Sequence, residues 1–142
     1  NQQGYGSEFE WNWQANEEWS VSGNYAWQHA INEQTHSRAT YVPEHHIYVA
    51  LDWQFLPQWQ LQPQLNWVGG RVTSANDNRS LRDYETVDLT LRGKQLFGHL
   101  NLTASVRNLL DAKNNLEPAA TSLPQNIPLS GRIFYLEAAV KF

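Results

Sequence analysis

The chain ends Gly131-Arg132-Ile133-Phe134-Tyr135-Leu136-Glu137-Ala138-Ala139-Val140-Lys141-Phe142. From Phe134 onward every second residue is apolar: Phe134, Leu136, Ala138, Val140 and Phe142. Between them stand Tyr135, Glu137, Ala139 and Lys141, mostly polar. Side chains of a strand alternate between its two faces, so this stretch predicts a strand with one greasy face and one wet face. Termini fray into water, and a soluble chain seldom stops on a bare aromatic residue. A strand ending in a membrane interface has a reason to, because aromatic rings favour that boundary.

The same alternation recurs upstream. Residues 8–15 set Phe9, Trp11, Trp13 and Ala15 against Glu8, Glu10, Asn12 and Gln14. After the polar turn Asn16-Glu17-Glu18, residues 19–29 set Trp19, Val21, Gly23, Tyr25 and Trp27 against Ser20, Ser22, Asn24 and Gln28, which predicts a hairpin. A long polar loop follows from Ile31 to Pro43. Residues 46–55 and 59–68 form a second hairpin around Leu56-Pro57-Gln58, with Ile47, Val49, Leu51, Trp53 and Phe55, then Trp59, Leu61, Pro63, Leu65 and Trp67, on the apolar face. Pro63 cannot donate a ladder hydrogen bond, so a bulge or a local gap is expected there. A second long loop runs from Gly69 to Arg82. Residues 84–92 and 99–107 form a third hairpin across a Gly93–Gly98 turn, and a third long loop runs from about Asp111 to Ser130.

Seven strands are thus joined by connections that alternate short and long, which gathers the short turns at one end of a sheet and the long loops at the other. Outer-membrane barrels have this asymmetry. The strands run about nine to eleven residues, the length of a tilted membrane strand, against a usual mode of about five to six. Aromatics fall at strand ends: Trp13, Trp19, Trp53, Phe55, Trp59, Phe97 and Phe142 toward the short turns, and Trp27, Tyr48, Trp67, Tyr84 and Phe134 toward the long loops. Two aromatic girdles around an aliphatic band describe a wall facing lipid. The competing fold is a soluble β-sandwich, which also alternates; strand length and girdles favour the all-β, antiparallel transmembrane barrel. The other face, carrying Glu8, Glu10, Asp52, Arg92, Arg107, Glu137 and Lys141 among many Gln, Asn, Ser and Thr, then looks into a lumen.

Composition fits a wall. Of the 142 residues 13% are aromatic, seven of them Trp, yet mean hydropathy is −0.61. No apolar run approaches the roughly 18 residues of a spanning helix, whereas a barrel strand needs only alternate apolar positions. With no Cys there are no disulfides or thiolate metal sites, and a net charge of −4 argues against nucleic acid as a partner. Asn1-Gln2-Gln3-Gly4-Tyr5-Gly6 has neither the basic nor the apolar region of a signal peptide, and there is no initiator Met, so a processed or truncated chain is expected. The strand count agrees: single-chain bacterial barrels usually have an even number, and an isolated set of seven leaves two unpaired edges in lipid.

The C-terminal third resembles the TonB-dependent receptors of Gram-negative outer membranes. Val106-Arg107-Asn108-Leu109-Leu110-Asp111 resembles their penultimate strand running into its loop, Glu117-Pro118 and Ile127-Pro128-Leu129 the loop itself, and Gly131-Arg132-Ile133-Phe134-Tyr135 with Phe142 their closing strand. Gly6-Ser7-Glu8-Phe9-Glu10-Trp11 and Gly23-Asn24-Tyr25-Ala26-Trp27 resemble upstream hairpins, and Leu110 departs from the family's frequent Phe. The resemblance implies a barrel of about 22 strands filled by an N-terminal plug. It also implies energised uptake of ferric siderophores, cobalamin or other scarce nutrients through TonB, which contacts a short N-terminal box. Residues 1–142 would supply the last seven strands, the last three external loops and the closing seam, without plug or box. The implied partners are outer-membrane lipid and lipopolysaccharide, the remaining strands and plug, TonB, and the barrel-assembly machinery. For that machinery Gly131, Phe134, Tyr135, Leu136, Val140 and Phe142 resemble an assembly signal, with plain lipid-facing packing as the alternative. A passive pore, or a fragment acting only as substrate of the assembly machinery, remains the alternative function.

Chemistry is sparse. His45 and His46 are adjacent and would face opposite ways on a strand. His29 and His36, with Glu33 between, sit at a loop edge where solvation competes with a metal site. Asn76-Asp77-Asn78 lacks the Gly and closing Glu of a calcium loop. No nucleophile stands beside a base on one face, so neither an enzyme nor a cofactor is expected. Arg38, Arg71, Arg79 and Arg82 lie in or beside the first two long loops. They could attract an anionic ligand, or pair with lipopolysaccharide phosphates or with Asp83 and Glu85.

Overall fold

A computed structural model of the chain describes residues 2–34, 36–39, 42–72, 80–112, 116–117 and 127–141. Seven long strands dominate: β1 (Gln2–Gln14), β2 (Trp19–Asn32), β3 (His45–Leu56), β4 (Trp59–Gly69), β5 (Tyr84–Leu96), β6 (Leu100–Arg107) and β7 (Ile133–Val140). They form one antiparallel sheet in sequence order, each strand beside the next. Short turns join β1 to β2, β3 to β4 and β5 to β6, and the three long connections lie at the opposite end. Each long connection carries a two-residue pairing: Ser37–Arg38 against the end of β2, Arg71–Val72 against Ser80–Leu81, and Leu116–Glu117 against Ile127–Pro128.

Register fixes the faces. Trp11 pairs with Gly23, Gly23 with Val49, Val49 with Leu65, and Leu65 with Val87, so the apolar residues of five strands share one side. Leu89 pairs with Val106 and Val106 with Phe134, which carries that side to β7. On the other side Glu10, Asn24, Tyr48, Asn66 and Thr86 line up in the same way. Tyr48 and Tyr84 therefore belong to the polar face, and the girdle expected at the long-connection end loses both. Their even parity decides this: one residue of offset moves a side chain to the opposite face.

β1 begins six residues before the expected Glu8, at Gln2, and β5 runs through Gly93 to Leu96. Gly4 and Gly6 interrupt the alternation at the start of β1, which hid the strand. At the end of β5 a register shift between Gly93 and Leu96 breaks the period. The expected gap at Pro63 is present on one side: the β3–β4 ladder passes from Ala50–Gln64 to Trp53–Leu61, whereas Pro63 still pairs in register with Leu89 of β5.

Two local devices shape the sheet. Asn16 Oδ1 accepts the N–H groups of Glu18 (2.8 Å) and Trp19 (2.9 Å), closing the β1–β2 turn as an Asx turn. At mid-strand, the Trp11 ring lies across Gly23, directly opposite in the ladder. A Cβ there would meet that ring, and would stand 2.5 Å from the Tyr48 carbonyl oxygen. Trp59 covers Gly93 similarly, a cross-strand pairing in which an aromatic ring supplies the contact area that glycine lacks.

Candidate functional site

The aromatic positions occupy two levels of the apolar face. Toward the short turns lie Trp13, Trp19, Trp53 and Trp59, with Trp19 and Trp53 stacked at 4.7 Å and Trp53 tilted against Phe55 at 5.5 Å. Toward the long connections stand Trp27 and Trp67. Tyr5 meets Trp27 edge-on at 5.7 Å and His29 at 5.6 Å, while His45 stacks on Tyr25 at 6.1 Å and lies 6.3 Å from Trp67. The Tyr25 hydroxyl also hydrogen-bonds His45 Nδ1 at 2.9 Å. All six expected Trp residues thus share a face, and Tyr5, Tyr25 and His45 complete the upper level.

The opposite face is a hydrogen-bonded wall. Asp52 Oδ1 accepts from Gln60 Nε2 (2.7 Å) and Gln62 Nε2 (2.9 Å), and Gln62 Oε1 accepts from Gln64 Nε2 (2.9 Å) and Arg92 Nη1 (3.1 Å). Asp52 and Arg92 are thereby joined through amides, which meets the requirement that partly buried charges find partners. Beside this ladder a cavity of about 650 Å³ is lined by Asp88, Thr90, Arg92, Ser105, Arg107 and Glu137, among others. His46 Nε2 bonds Asn66 Oδ1 here at 2.5 Å, on the face opposite His45.

At the long-connection end the expected arginines separate by role. Arg38 Nη2 is 2.7 Å from Glu44 Oε2 and donates to the Gly70 carbonyl at 2.7 Å. Arg71 is 3% exposed, donates to the Arg82 carbonyl at 2.6 Å, and lies 4.4 Å above the Tyr84 ring. Arg82 is exposed, and Arg79 lies outside the described residues. The loop-edge metal expectation finds His29 Nδ1 on Glu44 Oε1 at 3.0 Å. No cluster of three or more His, Cys, Asp or Glu suited to a metal occurs among the described residues.

On the closing strand, Phe134, Leu136 and Val140 face the apolar side opposite Val106, Ala104 and Leu100. Tyr135 is on the polar side with the Arg107 guanidinium 5.5 Å from its ring. Gly131 lies just before the strand, and Phe142 lies outside the described residues, as do Asn76, Asp77 and Asn78. β1 and β7 are the sheet's edges, and Phe134 and Leu136 are 70% and 76% exposed for want of a further neighbour. Sequence reasoning missed two hubs, Glu44 and Asn108: strand pairing alone brings His29 and Arg38 to the Glu44 carboxylate and the Ser130 carbonyl to the Asn108 amide.

The sheet has clear relatives. It superposes on the closed form of the ferric-catecholate import receptor Fiu from E. coli K12 with a TM-score of 0.81 at 20% identity, covering 99% of this chain and 21% of that one. The ferric yersiniabactin uptake receptor FyuA from Yersinia pestis gives 0.80 at 18% identity, over 99% and 24%. The copper transporter OprC gives 0.76 at 16% identity, over 99% and 24%. The chain therefore spans between a fifth and a quarter of the length of these proteins. No curated protein matches it. The model of the family described as TonB dependent receptor-like, beta-barrel matches residues 1–109. The match stops short of the closing strand on which the sequence resemblance leaned, but it takes in six of the seven long strands. The chain belongs to the TonB-dependent receptor-like β-barrel family.

Proposed function

We propose that this chain is the C-terminal wall of an outer-membrane receptor that takes up a ferric siderophore or a similar scarce nutrient, driven through TonB. The observation that carries the reading is the family match on a sheet with a continuous apolar face, ringed by aromatics at two levels, and a hydrogen-bonded polar face. In this reading the apolar face meets lipid, the long connections are external, and the polar face meets a plug borne by the rest of the protein. Further strands cover β1 and β7, since unpaired backbone groups in hydrocarbon cost several kcal/mol each. Of the expected anion contacts among the described residues Arg82 is the best placed, because Arg38 and Arg71 are engaged in holding the loops. The complete receptor should restore radioactive iron uptake, from at least one ferric siderophore, to a strain lacking its own receptors. That uptake should vanish when TonB is deleted. Uptake that persists without TonB would turn the reading to a passive pore.

The closing strand serves in this reading as the assembly signal, with Phe142 as its terminal anchor. Phe142→Ala should lower the fraction of receptor that reaches the outer membrane several-fold while the unfolded form accumulates in the periplasm. Unchanged insertion would leave Phe134, Leu136 and Val140 as lipid-facing packing only.

A further inference from the structure

Among the described residues, burial gathers at the roots of the first two long connections. Of the six buried apolar residues described, four (Ala39, Val68, Val72 and Leu81) lie there, with Arg71 among them. The polar contacts at these roots run between the two connections. Glu44 sits at the junction: its carboxylate holds His29 of β2 and Arg38 of the first connection, its N–H donates to the Gly70 carbonyl at 3.3 Å, and its own carbonyl accepts from Gln28 N at 2.9 Å. Gly70 opens the second connection. Its carbonyl takes both Arg38 and Glu44, and its N–H donates to Asp83 Oδ1 at 3.0 Å. Its φ is +67°, and a Cβ there would lie 2.7 Å from the Glu44 Cβ, so only glycine lets Glu44 come this close. Arg71, next in sequence, then holds the Arg82 carbonyl.

We infer that the described roots of the first and second long connections form one rigid body, clamped through Arg38, Glu44 and Gly70, and that this clamp sets the position of Arg82. Arg38 crosses from one connection to the other by a charge-assisted hydrogen bond, and such bonds are about twice as strong as neutral ones. Both roots therefore share one fixed frame, and Arg82 is presented by it. The value of Arg82 to a ligand rests on the uptake reading above; the clamp does not, and its test needs no ligand.

The chain contains no Cys, so labels can be placed cleanly in this part of the receptor. In the complete receptor, freed of any other Cys, nitroxides at Gln34→Cys and Arg82→Cys report the distance between the connections by pulsed electron paramagnetic resonance. Both positions are exposed, and the contact Arg82 makes with Arg71 uses the backbone. A single narrow distribution is expected, at least doubling in width when Arg38→Ala or Glu44→Ala is added. A broad distribution with the clamp residues intact overturns the inference without recourse to any variant. An unchanged width in Arg38→Ala overturns it as well, since the connections would then be held independently. Narrow distances in a receptor that fails to take up iron would leave the clamp standing and remove the uptake reading alone.

Discussion

Leu65→Arg is expected to destabilise the membrane-inserted receptor by about 2–4 kcal/mol, whereas Phe55→Arg should cost only about 0–1 kcal/mol. Leu65 lies midway along β4 on the apolar face, between Val49 and Val87. Phe55 lies on the same face two residues before the β3–β4 turn. Their exposures in the isolated sheet are nearly equal, 38% and 37%, so burial against the rest of this chain predicts equal penalties. Depth in a bilayer predicts unequal ones, because an arginine at the midplane cannot reach the head groups and one at the interface can. Gln64→Arg is the control. It faces the polar side opposite Asp88, loses one hydrogen bond to Gln62, and should cost about 1 kcal/mol or less. Urea-driven unfolding of the receptor from lipid vesicles reads all three. Equal costs at positions 55 and 65 would mean that the apolar face is not in lipid, and would overturn the reading of this sheet as a membrane wall.

The faces could be read in advance because a strand's period is two and leaves little room for error. Once Phe134, Leu136, Ala138 and Val140 are set on one side, each neighbouring strand must bring its own apolar set to the same side. Trp19, Val21, Leu51, Trp53, Leu61 and Leu65 do so. The reading failed where the pattern was interrupted. Gly4 and Gly6 carry no side chain to alternate, so the first half of β1 looked like a tail. Gly93 reads as a turn residue, whereas β5 continues three residues past it through a register shift. Nearness to strand ends suggests a girdle position for Tyr48 and Tyr84, whereas parity assigns them to the polar face.

The candidate site was legible as chemistry but not as geometry. Four arginines near two loops suggest an anion site from composition alone. Which of them is available depends on carbonyl groups that no sequence pattern marks. Arg38 and Arg71 are held by the Gly70 and Arg82 carbonyls, and Arg71 also by the face of Tyr84. Glu44 drew no notice because its partners stand 15, 6 and 26 residues away, as His29, Arg38 and Gly70. Long-range pairing of this kind appears only after the ladders have fixed which strand ends are neighbours.

Asn108→Ala is expected to cost about 2–4 kcal/mol and to free the root of the third long connection. In the stretch Val106-Arg107-Asn108-Leu109-Leu110-Asp111 the sequence alone offers no reason for an asparagine. The structure supplies one. The residue is 5% exposed with φ +50°, a left-handed conformation that asparagine tolerates better than most residues. Its Nδ2 donates to the Ser130 carbonyl at 3.2 Å and the Ala112 carbonyl at 3.4 Å, while Oδ1 accepts Ala112 N–H at 3.0 Å. One amide thus ties both ends of the connection together just before β7. Alanine removes these bonds, each worth about 0.5–1.5 kcal/mol, leaves backbone groups short of partners, and adds left-handed strain of about 1–2 kcal/mol. The variants separate these contributions. Asn108→Gly relieves the strain but not the lost bonds, and should be less damaging than alanine by about 1 kcal/mol. Asn108→Asp keeps the acceptor for Ala112 N–H but turns an oxygen toward two carbonyls, and should be at least as damaging as alanine. All three retain the backbone N–H that donates to Asp88 Oδ1 at 2.9 Å, so β6 should stay anchored to β5. Hydrogen exchange at Ala112 would then rise in Asn108→Ala and Asn108→Gly, and at Arg132 in all three, while exchange in β5 and β6 stays slow. Equal exchange in wild type and Asn108→Ala would show that the Arg132–Asp111 contacts, the Arg132 N–H donating to Asp111 Oδ1 at 3.0 Å and a 3.9 Å ion pair, suffice to hold the root of β7.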